Sequence, residues 1–332
     1  MSFNSKNTQR PFTFALRAAL LVPFLALAGC GTDDDTIVKK SDTPPVVAQT
    51  QTPQTVTPTP AETAAPAAQP VGEVTYEIAE NAFLNARYDE AVDLFTRYTE
   101  KNDRNPWGYY MLGLSAWKDG RLDSAEAAFK QSLTLDPGHL KSCLNLARVL
   151  LDAHRPGEAL TTLDNALAIE PTSSTAFRLK GRAYHDLVQN DDAAAAYQAA
   201  IHLDPQDAWS MNNLAFIYIQ QGRYEEALPA LARAVELRKD VAVFYNNLGM
   251  ALEHTGRFQA AADAYAFAVD TEPSNEKATL NHERVLTVRD DPGTTPVDLA
   301  ALARSFETTI ETWNVSIVTD AATDSVVSVQ PQ

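Results

Sequence analysis

The chain has 332 residues, of which 45% are hydrophobic, and a formal net charge of −16. This composition is typical of a soluble binding protein that is exported from the cytoplasm. Because so acidic a chain would be repelled by a phosphate backbone, we exclude nucleic acid as a partner.

The segment 1–29 has the pattern of a secretory signal peptide. Lys6, Arg10 and Arg17 make a basic region. An apolar stretch follows at residues 18–27 and is too short to span a bilayer as a mature helix. A basic region, a short apolar stretch and small residues in that order predict export and cleavage.

The residues Leu27-Ala28-Gly29-Cys30 resemble the bacterial lipobox. The resemblance implies that Cys30 receives a diacylglycerol and becomes the first residue of the mature chain. Gly31 follows where an aspartate would favour the inner membrane, so we expect anchoring in the outer membrane, facing the periplasm. A buried structural cysteine is the alternative. Once Cys30 is lipidated, Cys143 has no internal disulfide partner, and we expect it in the core.

Residues 30–71, which begin with the lipidated cysteine, predict a disordered tether. The segment is rich in threonine, proline, alanine and glutamine, a composition that cannot bury a core. About 40 residues span roughly 35 Å as a flexible coil and about 125 Å as a polyproline II helix. The folded part of the chain can therefore lie far from the membrane.

An alanine recurs at a constant interval through the middle of the chain. The six alanines are Ala91, Ala125, Ala159, Ala193, Ala227 and Ala261. Four residues after each of them stands an aromatic residue or leucine, and twelve residues before each stands another small residue. Small and bulky residues alternate where two helices pack closely. The pattern predicts a tandem array of helix pairs, with an alanine of the second helix opposite the small residue of the first.

Turn glycines and closing prolines share this period. Gly120, Gly222 and Gly256 lie between the two helices of a unit, and Pro137 and Pro171 are among the residues that end one. The pattern resembles the tetratricopeptide repeat, a helix-turn-helix unit of about 34 residues. It covers residues 72–275 as six units: 72–105, 106–139, 140–173, 174–207, 208–241 and 242–275. The resemblance implies an all-α, right-handed superhelical solenoid of six helix pairs plus a capping helix.

Two further segments follow the array. Residues 276–289 predict a capping helix that covers the open end of the solenoid. Residues 290–332 predict an amphipathic helix and a tail, with Leu299, Phe306 and Trp313 on the apolar stripe. This helix could pack back on the array or be an exposed docking helix for a partner. We expect residues 314–332 to be disordered, like the tether.

The sequence contains no constellation typical of an active site. Six histidines are scattered, and His282-Glu283 lacks the second histidine of a zinc-protease helix. Phosphate loops and nucleophile elbows are absent as well. We therefore expect no catalytic residue, no metal and no cofactor, and we predict that the protein is not an enzyme.

The resemblance also implies a binding groove, because the first helix of each unit lines the concave side in this family. The corresponding positions are Trp107, Tyr110, Trp117, Lys141, Asn145, Arg148, Arg178, Arg182, Asn212, Asn213, Phe216, Asn246 and Asn247. Aromatic residues lie at one end of this set, basic residues in the middle and asparagines at the other end. We expect Arg148, Arg178, Asn213 and Asn247 to face solvent, where asparagine amides can both donate to and accept from an extended backbone. The alternative is that the asparagines satisfy groups of the protein itself.

These features predict a membrane-anchored scaffold that binds an extended peptide segment or protein of the bacterial envelope. The chain resembles the lipoproteins of this repeat family that assist the assembly of type IV pilus secretins or tight-adherence pili. An adaptor that recruits peptidoglycan hydrolases or envelope proteases is the second hypothesis, and an enzyme is the third.

Overall fold

The structure, a computed structural model, describes residues 73–316 and 328–330. Twelve helices form six consecutive pairs. They are α1 (Tyr76–Leu84) with α2 (Tyr88–Lys101), α3 (Pro106–Lys118) with α4 (Leu122–Leu135), α5 (Leu140–Asp152) with α6 (Pro156–Ile169), α7 (Ser174–Asp186) with α8 (Asn190–Leu203), α9 (Ala208–Gln220) with α10 (Tyr224–Leu237), and α11 (Ala242–His254) with α12 (Phe258–Thr271). Each helix packs against the next, so the predicted all-α solenoid of helix pairs is confirmed. The predicted signal peptide, Cys30 and almost all of the tether lie outside the described residues.

The first helix of most pairs begins at a capping side chain that recurs with the repeat. Asn105, His139, Ser173 and Asp207 each accept a hydrogen bond from a backbone N–H two or three residues later. Such a cap satisfies one of the donors that a helix leaves unpaired at its start. Val241 takes the same position before α11 without a side-chain cap.

The turns between paired helices all contain one residue in the left-handed region. Gly120, Gly222 and Gly256 have φ angles of 74° to 79° there. In the other three units the position is taken by Ala86, His154 and Val188, with φ angles of 56° to 61°. Glycine adopts this conformation without steric cost, whereas a side chain is strained in it.

The core runs along the interface between the two helix layers. All six recurrent alanines are 0% exposed. The small residue of a first helix faces the bulky residue of its own second helix, as Gly113 faces Phe129. The sequence-based pairing of small with small was therefore incomplete, because the ring fills the space that the missing side chain leaves.

Lys180 stands where neighbouring units have an apolar residue, and it is only 3% exposed. Its Nζ lies 2.8 Å from Oδ1 of Asp164 on the preceding second helix. The carboxylate is partly exposed, so the buried ammonium is paired and lies next to solvent.

The buried apolar side chains of the array form two clusters, and the boundary between them lies within the fourth unit. Helices α7 and α8 of this unit nevertheless pack as closely as other pairs.

Two more helices follow the array. Helix α13 (Glu276–Val285) packs on α12, as the predicted capping helix would. Helix α14 (Leu299–Thr312) packs on α10 and more lightly on α8, with Phe306 and Ile310 buried there. The sequence left two interpretations of this helix open, and in the structure it packs back on the array. Arg233 of α10 and Glu307 of α14 form an ion pair of 2.8 Å across this contact.

Helix α10 presents an apolar surface to α14. Its Leu228 and Ala232 are 1% and 2% exposed. At the register of Ala232, α4, α6 and α8 have Lys130, Asp164 and Gln198. Helix α12 has Ala266 at this register, so α10 differs here from α4, α6 and α8, and its apolar surface marks the place where α14 docks.

Two short strands lie beyond α14, in the segment for which disorder was expected. Strand β1 (Asn314–Ser316) pairs antiparallel with β2 (Ser328–Gln330). Residues 317–327 and 331–332 lie outside the described part of the chain. Within that part, no helix has both the length and the apolar character needed to cross a membrane.

Candidate peptide-binding face

The first helices of the pairs form one layer of the solenoid and the second helices form the other. Consecutive first helices contact each other at α1 and α3, α3 and α5, α5 and α7, and α9 and α11. Over residues 73–316, no contact of similar extent joins consecutive second helices. A stack of pairs curves toward the layer whose helices lie closer together, so the first helices line the concave side. We call this surface the inner face.

All thirteen residues predicted for the groove lie on first helices, but their exposure divides them into two sets. Six are half-buried: Trp107, Trp117, Lys141, Arg182, Phe216 and Asn246. Seven are buried: Tyr110, Asn145, Arg148, Arg178, Asn212, Asn213 and Asn247. The expectation that Arg148, Arg178, Asn213 and Asn247 face solvent is wrong. Neighbouring first helices lie close enough to cover these side chains and to hydrogen-bond them.

One end of the inner face is aromatic. The Trp107 ring lies edge-on to His139 and Tyr110, with ring centroids 4.6 and 5.6 Å apart. Nζ of Lys141 stands 5.7 Å from the centroid of Trp107, within reach of a cation–π interaction. Burial raises the pKa of Tyr110 to about 12, so its hydroxyl stays neutral. Trp107 and Lys141 remain half-buried, and together they offer an apolar surface beside a positive charge.

The buried residues next to this end hydrogen-bond each other. Nδ2 of Asn145 donates to the Tyr110 hydroxyl at 3.4 Å, and Nη1 of Arg148 donates to Oδ1 of Asn145 at 3.0 Å. Tyr110 is on α3, whereas Asn145 and Arg148 are on α5. These polar groups therefore join two repeats.

A carboxylate that the sequence did not single out ties three first helices together. Oδ2 of Asp152 accepts from Nε1 of Trp117 at 2.8 Å, and its Oδ1 accepts from Nη2 of Arg182 at 2.7 Å. These residues lie on α5, α3 and α7 in turn. Because Arg182 and Trp117 are half-buried, their remaining surface is open on the inner face.

A second unpredicted carboxylate neutralises the arginine at the centre of the expected basic patch. Nη1 of Arg178 lies 3.0 Å from Oδ1 of Asp207, and the two side chains are 6% and 2% exposed. Asp207 also accepts from the backbone N–H and the hydroxyl of Ser210, as the cap of α9. Arg178 thus holds the start of α9 rather than presenting a charge to solvent.

The asparagines form a ladder between the last repeats. Nδ2 of Asn247 donates to Oδ1 of Asn212 at 2.9 Å, and Nδ2 of Asn212 donates to Oδ1 of Asn213 at 3.1 Å. The next step joins Asn281 of α13 to Asn246, at 3.1 Å. The alternative stated for these residues, that they satisfy groups of the protein itself, therefore holds for these amide contacts.

Apart from Asn246, the predicted residues that remain partly accessible on the inner face are aromatic or basic. Besides Trp107, Lys141, Trp117 and Arg182, they include Phe216, whose ring lies edge-on to His185 at 5.9 Å. Such a surface can contact apolar side chains and carboxylates of an extended segment. Within residues 73–316, no group of three or more histidine, cysteine or acidic side chains is placed to hold a metal ion.

Models of the tetratricopeptide repeat match residues 76–139, 116–183 and 206–271, and a TPR repeat model matches residues 181–222. Among curated proteins, the chain is 31% identical over 146 residues to the DnaJ homolog subfamily C member 7 homolog of Schizosaccharomyces pombe, covering 41% of this chain and 31% of that protein. It is 28% identical over 125 residues to the protein O-mannosyl-transferase Tmtc3 of Drosophila melanogaster, covering 37% and 14%. It is 27% identical over 95 residues to the Hsp70-Hsp90 organizing protein of Triticum aestivum, covering 29% and 16%. The chain spans less than a third of the length of each of these relatives.

Two solved structures share the fold. A tetratricopeptide repeat protein from Parabacteroides merdae is 14% identical, with a TM-score of 0.54 over 66% of this chain and 87% of that one. The Cut9-Hcn1 assembly of the APC/C is 16% identical, with a TM-score of 0.56 over 63% and 41%. At these identities the likeness concerns the fold alone. The family models together match more than half of the sequence. The chain belongs to the tetratricopeptide repeat family, whose helix pairs are scaffolds for protein–protein interaction.

Proposed function

We propose that the protein is a lipid-anchored scaffold of the bacterial envelope that holds an extended segment of a partner protein on its inner face. In this proposal it assists the assembly of an envelope machine such as a pilus or a secretin. The Hsp70-Hsp90 organizing protein, a relative over part of its length, is named for the proteins that it organises. A scaffold role for this chain is consistent with that likeness.

The observation that carries the binding proposal is the row of half-buried aromatic and basic residues on the inner face. Trp107 with Lys141 and Trp117 with Arg182 lie on α3, α5 and α7, and Phe216 follows on α9. Aromatic residues with part of their surface open are typical anchors of protein interfaces. The positive charge of Lys141 beside Trp107, in a chain of net charge −16, favours an acidic segment as the ligand.

The envelope location is supported by the sequence alone. Leu27-Ala28-Gly29-Cys30 follows a basic region and an apolar stretch, and a long Thr/Pro-rich segment separates Cys30 from α1. A lipid on Cys30 with this tether would let the array reach partners away from the membrane surface.

Affinity capture from detergent-solubilised envelopes, followed by mass spectrometry, tests the binding proposal. Lys141→Glu should reduce recovery of the partner and weaken the salt dependence of its binding, because the charge that steers the encounter is reversed. Lys101→Glu is the matched control, since Lys101 is exposed on the second helix α2 and undergoes the same change of charge. Equal recovery with both variants would exclude the aromatic end of the inner face as the binding surface.

Metabolic labelling with palmitate tests the anchor separately. The parent should take up label and fractionate with the outer membrane, whereas Cys30→Ala should take up none and accumulate as precursor. A parent that takes up no label and fractionates as a free periplasmic protein would contradict the anchor. That result would leave the binding test unaffected.

A further inference from the structure

Helix α14 joins two units of the array on the outer face, the side formed by the second helices. It packs along α10 of the fifth unit and contacts α8 of the fourth, and strand β1, which follows it, contacts α8 as well. Over residues 73–316, consecutive second helices make no contact with each other of the extent seen between first helices. The outer layer is therefore open between units, and α14 closes it between α8 and α10.

The first helices of the same two units contact each other less than their counterparts along the array. Consecutive first helices are in contact at the other four junctions between units, whereas α7 and α9 are in contact to a smaller extent. Long side chains bridge them instead. Arg178 pairs with Asp207, and Nε2 of His185 lies 3.2 Å from Oε1 of Gln220. The junction between the fourth and fifth units therefore depends less on packing of its first helices.

The angle between two units of a solenoid depends on both layers of helices. Because each repeat contacts only its neighbours, the angle at one junction can change with little rearrangement elsewhere. The first helices contact each other and act as the pivot, while the second helices separate or approach on the outer face. A helix that packs on both α8 and α10 opposes this movement between the fourth and fifth units.

Helix α14 is held by fewer buried side chains than a helix of the array. It buries three, Ala303, Phe306 and Ile310, whereas α10 buries seven. Its ion pair between Glu307 and Arg233 is partly exposed, and residues 286–298, which lead to it, are mostly exposed. Elements with few buried apolar contacts open at a lower free energy than the core. Helix α14 therefore detaches before the helix pairs unfold.

We propose that α14 is a releasable strap that fixes the angle between the fourth and fifth units. When it is docked, it holds α8 and α10 at one separation, and when it is released, the junction bends. Arg182 on α7 and Phe216 on α9 lie on either side of this junction, so bending changes the distance between two accessible side chains of the inner face. This consequence for binding rests on the proposed function, whereas the change of angle does not.

Distances between spin labels on the full chain test the strap, in a background that carries Cys30→Ala and Cys143→Ala. The label pair Ala168→Cys with Asp270→Cys spans the junction, since these exposed residues lie on α6 and α12. Glu100→Cys with Ala168→Cys is the control pair, at the same register but within the first three units. The measurement needs no partner, so its outcome is independent of the binding test above.

Phe306→Asp with Ile310→Asp places two charges in the buried contact and should release α14. The distance distribution of the pair that spans the junction should then broaden by about twofold or more, while that of the control pair stays the same. Thr308→Asp with Thr312→Asp is the matched control variant, because both residues are exposed on α14 and undergo a change of the same charge at the same spacing. It should leave both distributions unchanged. Ala303→Glu is a second release variant.

A third label pair, Glu311→Cys with Ala168→Cys, reports whether α14 is docked, and circular dichroism reports helix content. Release of α14 without broadening across the junction would overturn the proposal. So would a parent whose distribution is already as broad as that of the variants, or docking that persists in both release variants. If Phe306→Asp with Ile310→Asp loses more helix than the 14 residues of α14, Ala303→Glu decides. The same loss there would make α14 an integral part of the array and would exclude a strap.

Discussion

Gly181 and Tyr197 are packed so closely that a Cβ at position 181 would lie 2.6 Å from Cε1 of the tyrosine ring. Tyr197 is 0% exposed. The ring therefore lies on the backbone of α7, and glycine is required there for close approach.

The same relationship recurs in alternate units. A Cβ at Gly113 would lie 2.7 Å from the ring of Phe129, and one at Gly249 would lie 2.6 Å from the ring of Tyr265. The three remaining units have alanine at this position, paired in sequence register with Phe95, Leu163 and Leu231. Tyrosine is matched by glycine and leucine by alanine, whereas phenylalanine occurs opposite either of them. In each unit a small residue thus leaves room for the bulky one.

Gly181→Ala should destabilise the protein by about 1–3 kcal/mol, because the new methyl group overpacks the contact with Tyr197. Gly157→Ala is the control. No atom lies within 4 Å of a Cβ at Gly157, so this change should be neutral or stabilise by about 0.4–1 kcal/mol. Urea titration followed by circular dichroism measures both. A Gly181→Ala midpoint equal to or above that of Gly157→Ala would contradict the packing described here.

The constant period of the recurrent alanines predicts the helix pairs, because a small residue at a helix contact is a strict local requirement. Which residue of the second helix contacts this small residue depends on the relative axial position of the two helices. The sequence-based pairing placed the second-helix alanine opposite the first-helix small residue, whereas the structure places Gly113, Gly181 and Gly249 against the bulky residue four positions after that alanine. This offset of four residues depends on the direction in which helical side chains point, and the spacing of residues in the sequence does not predict it.

Val188→Gly should raise the free energy of unfolding by about 0.5–1 kcal/mol. Val188 has a φ of 61° and is 80% exposed. Its backbone is therefore strained, and burial of its side chain contributes little stability. Relief of this strain exceeds the extra entropy that glycine gives the unfolded chain. Leu187→Gly is the control, since Leu187 has a φ of −86° and gains nothing from glycine. Thermal melting that shows no difference between the two variants would contradict the expected strain.

His139 should make stability depend on pH. Burial lowers the pKa of its imidazole below the ordinary value of 6.5, and outweighs the charge of Asp136, which acts in the other direction. The unfolded chain then binds a proton at a higher pH than the folded chain, so stability is full above the ordinary pKa and falls as pH decreases below it. Protonation also removes the Nδ1 lone pair that accepts from the N–H of Ser142 at 3.2 Å.

His139→Asn should reduce this loss of stability between about pH 7 and pH 5. Asparagine keeps a cap without a titrating group, as Asn105 does in the preceding unit. Urea midpoints of the parent and the variant, measured at several pH values, give the comparison. Parallel pH profiles would show that His139 titrates alike in the folded and unfolded chains.

The inner face was predicted less well than the fold. Its thirteen residues lie on the expected helices, but neighbouring first helices bury seven of them. The carboxylates that pair with Arg178 and Arg182 were not identified from the sequence. Asp207 had a signal, since it stands at the capping position of a first helix, in the same register as Ser173 one unit earlier and His139 two units earlier. Asp152 had none, because Lys118, Asp186 and Gln220 occupy its register and only the fold brings it to Trp117 and Arg182.

Arg178→Ala should destabilise the protein by about 3–5 kcal/mol, the usual cost of leaving one member of a buried ion pair without the other. Asp207 would lose its arginine partner while only 2% of its side chain is exposed. Arg178→Met with Asp207→Ser should be markedly more stable than Arg178→Ala, because both charges are removed and serine keeps the cap, as Ser173 does for α7. Urea titration ranks the two. A cost of less than about 0.5 kcal/mol for Arg178→Ala would be typical of an exposed ion pair. That result would mean that Arg178 faces solvent, and the basic centre of the inner face would again be a candidate binding surface.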